Sequence, residues 1–268
     1  MVSLNNRLSR KFTMFLTYTL NKAMSDTDGA NSFPINQYNL SNEYGRSALD
    51  IRHRLFIGGS INALPWGIRL NPLITFNSGR PFNIYTGRDI NGDTLFTERP
   101  AFATDLSKPG VIISRYGAFD PNPNPLELII PRNYGTGPSF FTVNLRASRN
   151  FGFGGEANAA GGGAQGAGGA GGGGGRGGGG RGGGGGGRGG GGGGDFGGGQ
   201  TNSRYNLTVS VNVLNLFNHP NLGNPVGNLS SPLFGESVTS AGRFGFGGGP
   251  GGQTATSRHV ELQLRFSF

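Results

Sequence analysis

The last nine residues, Val260-Glu261-Leu262-Gln263-Leu264-Arg265-Phe266-Ser267-Phe268, alternate apolar and polar side chains without interruption. Successive side chains of a β-strand point to opposite faces, so this period of two places all the apolar side chains on one face. The pattern recurs in five other segments, and the sequence offers no convincing amphipathic helix to cover their apolar faces. The sequence therefore predicts a β-sheet protein whose apolar face is covered by something other than its own helices.

The five other segments are each about ten residues long. They span residues 11–20, 54–63, 68–77, 141–151 and 206–213. A tilted strand needs about 9–11 residues to cross the hydrocarbon core of a bilayer. We expect the apolar sets to carry no charge, and the polar sets are rich in Thr, Asn, Ser, Arg and Gln, which suit a water-filled interior. The pattern predicts an all-β fold. More specifically, it predicts a segment of an antiparallel transmembrane β-barrel that contributes about six strands to a larger barrel.

Alternation also assigns individual residues to the predicted faces. The side chains expected to face lipid in the last two strands are Leu207, Val209, Val211, Val213, Val260, Leu262 and Leu264. Aromatic residues near strand ends are interpreted as interfacial belts of the kind found in membrane proteins, because of their position, and ordinary core residues are the alternative. The belt candidates are Tyr18, Trp66, Phe76, Phe82, Phe151 and Phe217.

The connections between the predicted strands differ in length in a regular way. Counted back from the carboxyl terminus, connections 65–67 and 152–203 fall on the periplasmic side, and 21–53, 78–139 and 218–257 fall outside. Outer-membrane barrels have short periplasmic turns and long outer loops. Only the glycine-rich segment departs from this rule, and we expect it to be a disordered insertion because ordered glycine loses much entropy.

Three regions follow from this reading. Residues 1–151 contain barrel strands one to four with their outer loops, and residues 152–203 form the glycine-rich, low-complexity insertion. Residues 204–268 contain the last two barrel strands, one outer loop and the carboxyl-terminal aromatic residue.

Composition excludes several classes of protein. The chain has 268 residues, 55 of them glycine, and no cysteine, so neither a disulfide framework nor a thiolate metal site is possible. No apolar run is long enough for a transmembrane helix. The first seven residues lack the apolar core of a signal peptide, which leads us to expect a fragment of a longer ancestral sequence.

The formal net charge of +9 raises the question of nucleic acid as a partner. Arg176, Arg181 and Arg188 are each followed by glycine, as in segments that bind RNA by charge and stacking. Aromatic residues are scarce around them, and so few cations would bind weakly. We therefore expect no nucleic-acid partner and interpret the segment as a linker, although a glycine-rich RNA-binding protein stays open as an alternative function.

Asp89, Asn91 and Asp93 are the candidate ligand residues of the second outer loop. Their spacing can place oxygen atoms around Ca²⁺, but a full EF-hand loop has Gly at its sixth position and Glu at its twelfth. Those positions here are Thr94 and Pro100. An acidic turn is the alternative and the favoured interpretation, so no metal is expected. The histidines show no metal-ligand or catalytic spacing, and no enzymatic activity or cofactor is expected.

Several short motifs resemble the barrels of TonB-dependent receptors, and in particular the Oar-like group with large outer loops. They are Asp50-Ile51-Arg52-His53-Arg54, Leu64-Pro65-Trp66-Gly67, Asn77-Ser78-Gly79-Arg80-Pro81-Phe82, Asp89-Ile90-Asn91-Gly92-Asp93 with Glu98-Arg99-Pro100, Asn212-Val213-Leu214-Asn215-Leu216-Phe217-Asn218-His219, and the closing Arg265-Phe266-Ser267-Phe268. The matches are spread over most of the chain outside residues 152–200.

The resemblance implies a place in the bacterial outer membrane and a 22-stranded barrel closed by a plug. It implies four partners, which are membrane lipid, the barrel assembly machinery that reads Phe266 and Phe268, the missing plug and remaining strands, and TonB through the full receptor. The chain lacks a plug, so it is expected to be a structural portion that is inactive in transport alone. A non-enzymatic surface or adhesion β-protein is the other alternative.

Overall fold

The computed structural model describes residues 1–9, 11–30, 32–124, 127–156, 203–241 and 257–268. These residues form fourteen strands and one 3-10 turn, Pro65–Gly67. The strands are β1 (Val2–Ser9), β2 (Phe12–Leu20), β3 (Met24–Ser25), β4 (Gly45–Arg46), β5 (His53–Ile61), β6 (Arg69–Asn77), β7 (Pro81–Phe82), β8 (Ala101–Phe102), β9 (Ile112–Ser114), β10 (Gly117–Asp120), β11 (Gly135–Thr136), β12 (Phe140–Glu156), β13 (Ser203–Leu214) and β14 (His259–Ser267). None of the helical structure in these residues is long and apolar enough to cross a membrane.

Seven strands form one antiparallel sheet in the order β1-β2-β5-β6-β12-β13-β14. Each long strand pairs with the next long strand along the chain, so the sheet is a meander. β1 and β14 are its two edges, and the sheet is not closed into a barrel within the described residues. The three smaller sheets, β8-β10-β9, β7-β11 and β3-β4, all lie in the long connections.

The all-β, antiparallel architecture predicted from the alternation is confirmed, and all six predicted strands are present with ends shifted by a few residues. A seventh strand, β1, was not predicted. Its Val2 and Leu4 lie opposite Tyr18 and Leu16 of β2, and its register shifts between Asn6 and Ser9. The irregular end explains why alternation alone did not reveal it.

The register keeps the two kinds of side chain on separate faces. Leu145, Val213 and Val260 form one cross-strand row, and Ser148, Ser210 and Gln263 form another on the opposite face. Paired residues share a face of a sheet, so the apolar sets of neighbouring strands merge into one continuous surface. We call the two surfaces the apolar face and the polar face.

One residue contradicts the expectation that the apolar face carries no charge. Arg149 of β12 lies opposite Val209, which belongs to the apolar set. Its guanidinium carbon lies 4.6 Å from the centroid of the Phe151 ring, two residues along the same face. A cation over an aromatic ring is attracted by the electrons of the ring face, and this contact partly compensates the charge.

The polar face carries an apolar exception around Gly58. Phe15 of β2 lies opposite Gly58, and a Cβ atom at Gly58 would be only 2.2 Å from Cζ of the Phe15 ring. The Phe15 ring also packs at 5.6 Å from Phe56. Phe15 thus interrupts the alternation because its ring fills the space that glycine leaves open.

The long connections leave the strands at the same end of the sheet and fold together into a structure that we call the cap, formed by the described residues of 21–52, 78–139 and 215–241. Its hydrophobic core contains Phe82, Ile84, Phe119, Ile130 and Leu229. Backbone hydrogen bonds join its segments, as between the amide of Tyr85 and the carbonyl of Gly227 at 2.9 Å. Phe82 is therefore a core residue of the cap, and its assignment to an interfacial belt was wrong.

The boundaries of the glycine-rich segment differ slightly from those expected. β12 continues to Glu156, and β13 begins at Ser203, which pairs with Glu156. Residues 152–156 are thus strand, with a bulge at Gly154 and Gly155, whose φ angles are +89° and +76°. The predicted disordered insertion, including Arg176, Arg181 and Arg188, lies outside the described residues.

Candidate functional site

Burial on the meander is opposite to that of a sheet in water-soluble proteins. On the apolar face of the inner strands, Phe151 is 39% exposed and Val211 is 37% exposed. On the polar face, Ser210 is 2% exposed and Thr142 is 4% exposed. Large exposed apolar patches on a protein mark surfaces that contact a membrane or another protein. The apolar face is therefore a candidate contact surface.

All seven side chains expected to face lipid lie on this apolar face. In β13 and β14, Leu207, Val209, Val211 and Val213 lie opposite Phe266, Leu264, Leu262 and Val260, respectively. The paired rows form one band across both strands. The structure thus brings together the complete set selected by alternation.

Four aromatic residues form a cluster at the carboxyl-terminal end of the apolar face. We call Phe153, Tyr205, Phe266 and Phe268 the aromatic cluster. Phe266 is its centre, with ring centroids 6.1 Å from both Phe153 and Tyr205 and 6.0 Å from Phe268. Sequence reasoning singled out Phe266 and Phe268 but missed the other two. Extending the alternation of β12 and β13 by two residues would have included them.

The polar face is connected by side-chain hydrogen bonds between strands. Arg146 donates from Nη2 to Oγ of Ser210 at 3.2 Å, and Thr208 donates from Oγ1 to Oδ1 of Asn150 at 3.3 Å. At the other side of the sheet, the hydroxyls of Thr13 and Ser60 are 3.0 Å apart. These bonds satisfy polar groups that would otherwise be costly to bury.

Buried ion pairs hold the cap segments to one another. Arg99, whose side chain is 1% exposed, donates from Nη2 to Oε1 of Glu43 at 3.1 Å. Arg132 donates to Oδ2 of Asp28 at 3.1 Å. The residues of the first pair are 56 positions apart in sequence, and those of the second pair are 104 positions apart. Removal of one partner would leave a buried charge uncompensated, so these pairs specify how the cap segments dock.

Asp50 anchors the base of the cap beside the meander. Burial alone would raise the pKa of Asp50. The hydrogen bond from the amide of Ala23, the bond from Nε of Arg46 and the charges of Arg52 and Arg46 outweigh it, and the pKa is lowered. The pKa values of Asp28 and Asp120 are lowered in the same way, against the effect of burial. All three carboxyl groups are thus held in the charged form.

The cap also contains a cleft of about 370 Å³, formed by four stretches of chain. It is lined by Arg115, Tyr116, Thr136, Gly137, Pro138, Leu222, Gly235, Glu236 and Ser237. Arg115 and Glu236 contribute opposite charges, and Leu222 contributes an apolar wall. A mixed cleft of this volume is at the small end of the range for small-molecule sites.

The predicted ligand-loop residues Asp89, Asn91 and Asp93 lie together in the connection between β7 and β8. Asn91 donates from Nδ2 to Oδ2 of Asp93 at 3.2 Å. The structure adds Glu98, since one carboxylate oxygen from each of Asp89, Asp93 and Glu98 lies within 4.8 Å of the others. Glu98 was missed as a site residue because it does not occupy the twelfth position of an EF-hand loop.

Comparison with known proteins now bears on this geometry. A family model described as outer membrane beta barrel domain matches residues 1–160, which is more than half of the chain. The chain belongs to this family. The matched residues include β1 to β12 and the cap segments between them. No curated protein and no solved structure matches the chain. The meander is therefore a barrel portion of an outer-membrane protein.

Proposed function

We propose that this barrel portion belongs to a TonB-dependent receptor of the Oar-like kind, in which it supplies part of the barrel wall and the outer loops that meet ligand. The observation that carries the proposal is the folded cap at one end of the strands of the meander. Loops that only connect strands do not need a core, whereas this cap has the apolar core around Phe119 and Ile130 and several buried ion pairs. A pre-formed surface of this kind suits ligand capture.

Some of the motif residues that resemble such receptors occupy buried positions in the cap. Asp50 is fully buried at its base, Pro81 and Phe82 form β7, and Arg99 is buried beside Glu43. The resemblance therefore includes residues that stabilise the cap. This supports a shared cap architecture more strongly than chance matches in surface loops would.

The apolar face is proposed to contact membrane lipid, and the polar face to line the interior of the barrel. The aromatic cluster would then lie at the periplasmic interface, where the assembly machinery engages the last strand. The cap would lie outside the cell. In this arrangement the exposed Leu262 and Leu264 face hydrocarbon, and the cleft beside Arg115 is accessible to ligand.

The edges at β1 and β14 require further strands, because unpaired backbone groups are very costly in lipid. We propose that those strands and a plug complete the receptor and that TonB acts through the complete assembly. The role of this portion is structural and ligand-contacting, without catalysis. The glycine-rich segment needs no nucleic acid in this role.

The proposal is tested by formaldehyde cross-linking in intact cells that produce the protein from its own locus. A tag placed within the glycine-rich segment allows the chain to be purified, and TonB is then detected in the cross-linked material. Recovery of TonB is expected, with a strain that lacks TonB as the control. A carbonate-resistant, heat-modifiable outer-membrane protein that never cross-links to TonB would retain the barrel and contradict the receptor role.

A further inference from the structure

The carboxylates of Asp89, Asp93 and Glu98 form a group without a cationic partner. Their ligand oxygens lie within 4.8 Å of one another. No Lys or Arg side chain among the described residues forms an ion pair with any of them, although the chain carries an excess of positive charge. Like charges at this separation repel one another, and the repulsion grows as water is excluded.

Glu98 provides the decisive observation. Its side chain is buried, with 4% of the residue exposed, yet its Oε2 atom has no hydrogen-bond partner. The other oxygen, Oε1, accepts hydrogen bonds from the amides of Ile90 and Asn91, which fixes the carboxylate against the acidic loop. A buried carboxylate oxygen without a donor is costly, so a buried partner is expected to satisfy it.

Other buried or half-buried carboxylates of the cap are compensated. Glu43 pairs with Arg99, Asp50 with Arg46 and Arg52, and Asp120 with Lys108. In these three cases an arginine or lysine side chain of the cap compensates the charge of the carboxylate. The group at Asp89, Asp93 and Glu98 has no such ion pair among the described residues.

The backbone of the acidic loop is arranged to hold this group. Asp89 accepts hydrogen bonds from the amides of Gly92, Asp93 and Thr94 at 2.7–3.2 Å. Thr94 has a φ of +67°, which places it in the left-handed region that the glycine at the sixth position of an EF-hand loop adopts. Thr94 thus adopts the φ that glycine usually provides at this position.

We propose that Asp89, Asp93 and Glu98 bind one Ca²⁺ ion. Ca²⁺ takes oxygen ligands at about 2.3–2.6 Å, so two ligands on opposite sides of the ion are about 4.8 Å apart. Backbone carbonyls and water complete the six to eight ligands that Ca²⁺ prefers, in a geometry that Mg²⁺ tolerates poorly. This assignment departs from the expectation that the acidic turn binds no metal.

The ion would also fasten the acidic loop to the first cap segment. Asn91 donates from Nδ2 to the carbonyl of Ile35 at 2.8 Å, and Thr97 donates from Oγ1 to the carbonyl of Pro34 at 3.1 Å. Both donors lie in the loop that the ion closes. Removal of Ca²⁺ should therefore loosen the loop near the exposed Phe96 while leaving the meander intact.

The test uses the protein as produced from its own locus and purified in detergent, with folding verified by heat-modifiable mobility and far-ultraviolet circular dichroism. After treatment with chelator, CaCl₂ is titrated by calorimetry. One Ca²⁺ per chain is expected, with a Kd in the range of about 10⁻⁵–10⁻³ M. Glu98→Gln should weaken binding at least about tenfold, because it removes the charge and keeps the shape. Asp105→Asn, an exposed carboxylate bound to Ser107, is the matched control and should bind as the parent does.

Chymotrypsin cleavage at Phe96 gives a second measurement on the same samples. Ca²⁺ should protect the parent chain and Asp105→Asn, but not Glu98→Gln or the less buried variant Asp93→Asn. Asp93→Asn keeps the proposal testable if Glu98→Gln does not fold. Absence of saturable binding, equal binding by Mg²⁺, or unchanged binding in both variants would overturn the site.

Discussion

Neighbouring side chains on β14 provide a sensitive comparison of the two faces. Leu262 lies on the apolar face and Gln263 on the polar face, and both are exposed in the structure. In water, an exposed residue of either kind tolerates substitution. A bilayer against one face would make the two positions different.

We expect Leu262→Arg to reduce the stability of the inserted protein by ~2–4 kcal/mol if the residue lies near the bilayer midplane, because a charge on the lipid face is poorly solvated. Gln263→Arg should be tolerated, because the polar face that carries Gln263 is proposed to line the barrel interior. The measurement is unfolding by denaturant in lipid vesicles. Similar stabilities for the two variants would argue against lipid on the apolar face.

Ser210 would be a poorer choice for this comparison than Gln263. It is 2% exposed and accepts a hydrogen bond from Arg146, so an arginine there would introduce a second cation beside the first. Alternation correctly assigned Ser210 to the polar face, but it contains no information on how tightly that face is packed. The same limit applies to Glu98, whose proximity to Asp89 depends on the folded loop.

Among the elements, the three carboxyl-terminal strands of the meander are joined at one end by the aromatic cluster. Phe266 contacts Phe153, Tyr205 and Phe268, whereas Phe268 is 94% exposed and contacts Phe266 alone within the cluster. A role in packing would make Phe266 the more important of the two. A role as an assembly signal would make both important.

We expect both Phe266→Ser and Phe268→Ser to reduce the fraction of chain inserted in the outer membrane, without a change in synthesis. The expected reason is loss of the signal for the assembly machinery, since Phe268 packs against so little. Heat-modifiable barrel in outer-membrane fractions is the measurement, and Ser267→Ala is the control on the opposite face. If insertion is unchanged in Phe268→Ser, the assembly role of the terminal residue is excluded.

The cap should respond to acid before the meander does. The folded pKa values of Asp28, Asp50 and Asp120 are lowered below the ordinary value of 3.8. Carboxylates of this kind contribute stability that is present above about pH 5 and is lost as the pH falls through the folded pKa. Below about pH 4, the near-ultraviolet signal of the cap tyrosines should decrease while the far-ultraviolet strand signal persists. Simultaneous loss of both signals would contradict separate stability of the cap.

The hairpin formed by β12 and β13 should not need its glycine-rich connection. Glu156 and Ser203 are already paired, so a short link can join the strands. Deleting residues 157–199 should leave strand content and membrane association nearly unchanged, since loop-closure entropy depends weakly on length. Far-ultraviolet circular dichroism and carbonate extraction are the measurements. Loss of folding after the deletion would show that the glycines have a structural role.

Strands were more predictable than the connections between them. A strand such as β14 repeats every two residues, so its faces can be read directly from its own sequence. The cap has no such local signal, because its core combines Phe82, Phe119 and Leu229 from distant parts of the chain. Likewise, nothing in the sequence links Arg99 to Glu43, and their pairing depends on how two long connections fold over each other.

The two ends of the strands in the meander differ. The folded cap connects the strands at one end, and short or glycine-rich connections join them at the other. Family membership makes the meander an outer-membrane barrel portion. The orientation that places the cap outside rests on the parity of the strands and on the usual difference between outer loops and periplasmic turns. Orientation is thus the claim that links the fold to ligand capture.

The absence of natural cysteine allows a direct test of this claim with single-cysteine variants of the membrane-inserted protein. Leu106→Cys lies in the cap and Trp66→Cys lies in the opposite connection, at positions that are 61% and 75% exposed. On intact cells, an impermeant maleimide should label Leu106→Cys and should label Trp66→Cys only after the outer membrane is permeabilised. Labelling of Trp66→Cys alone on intact cells, or of both variants equally, would contradict a barrel wall with its cap outside the cell.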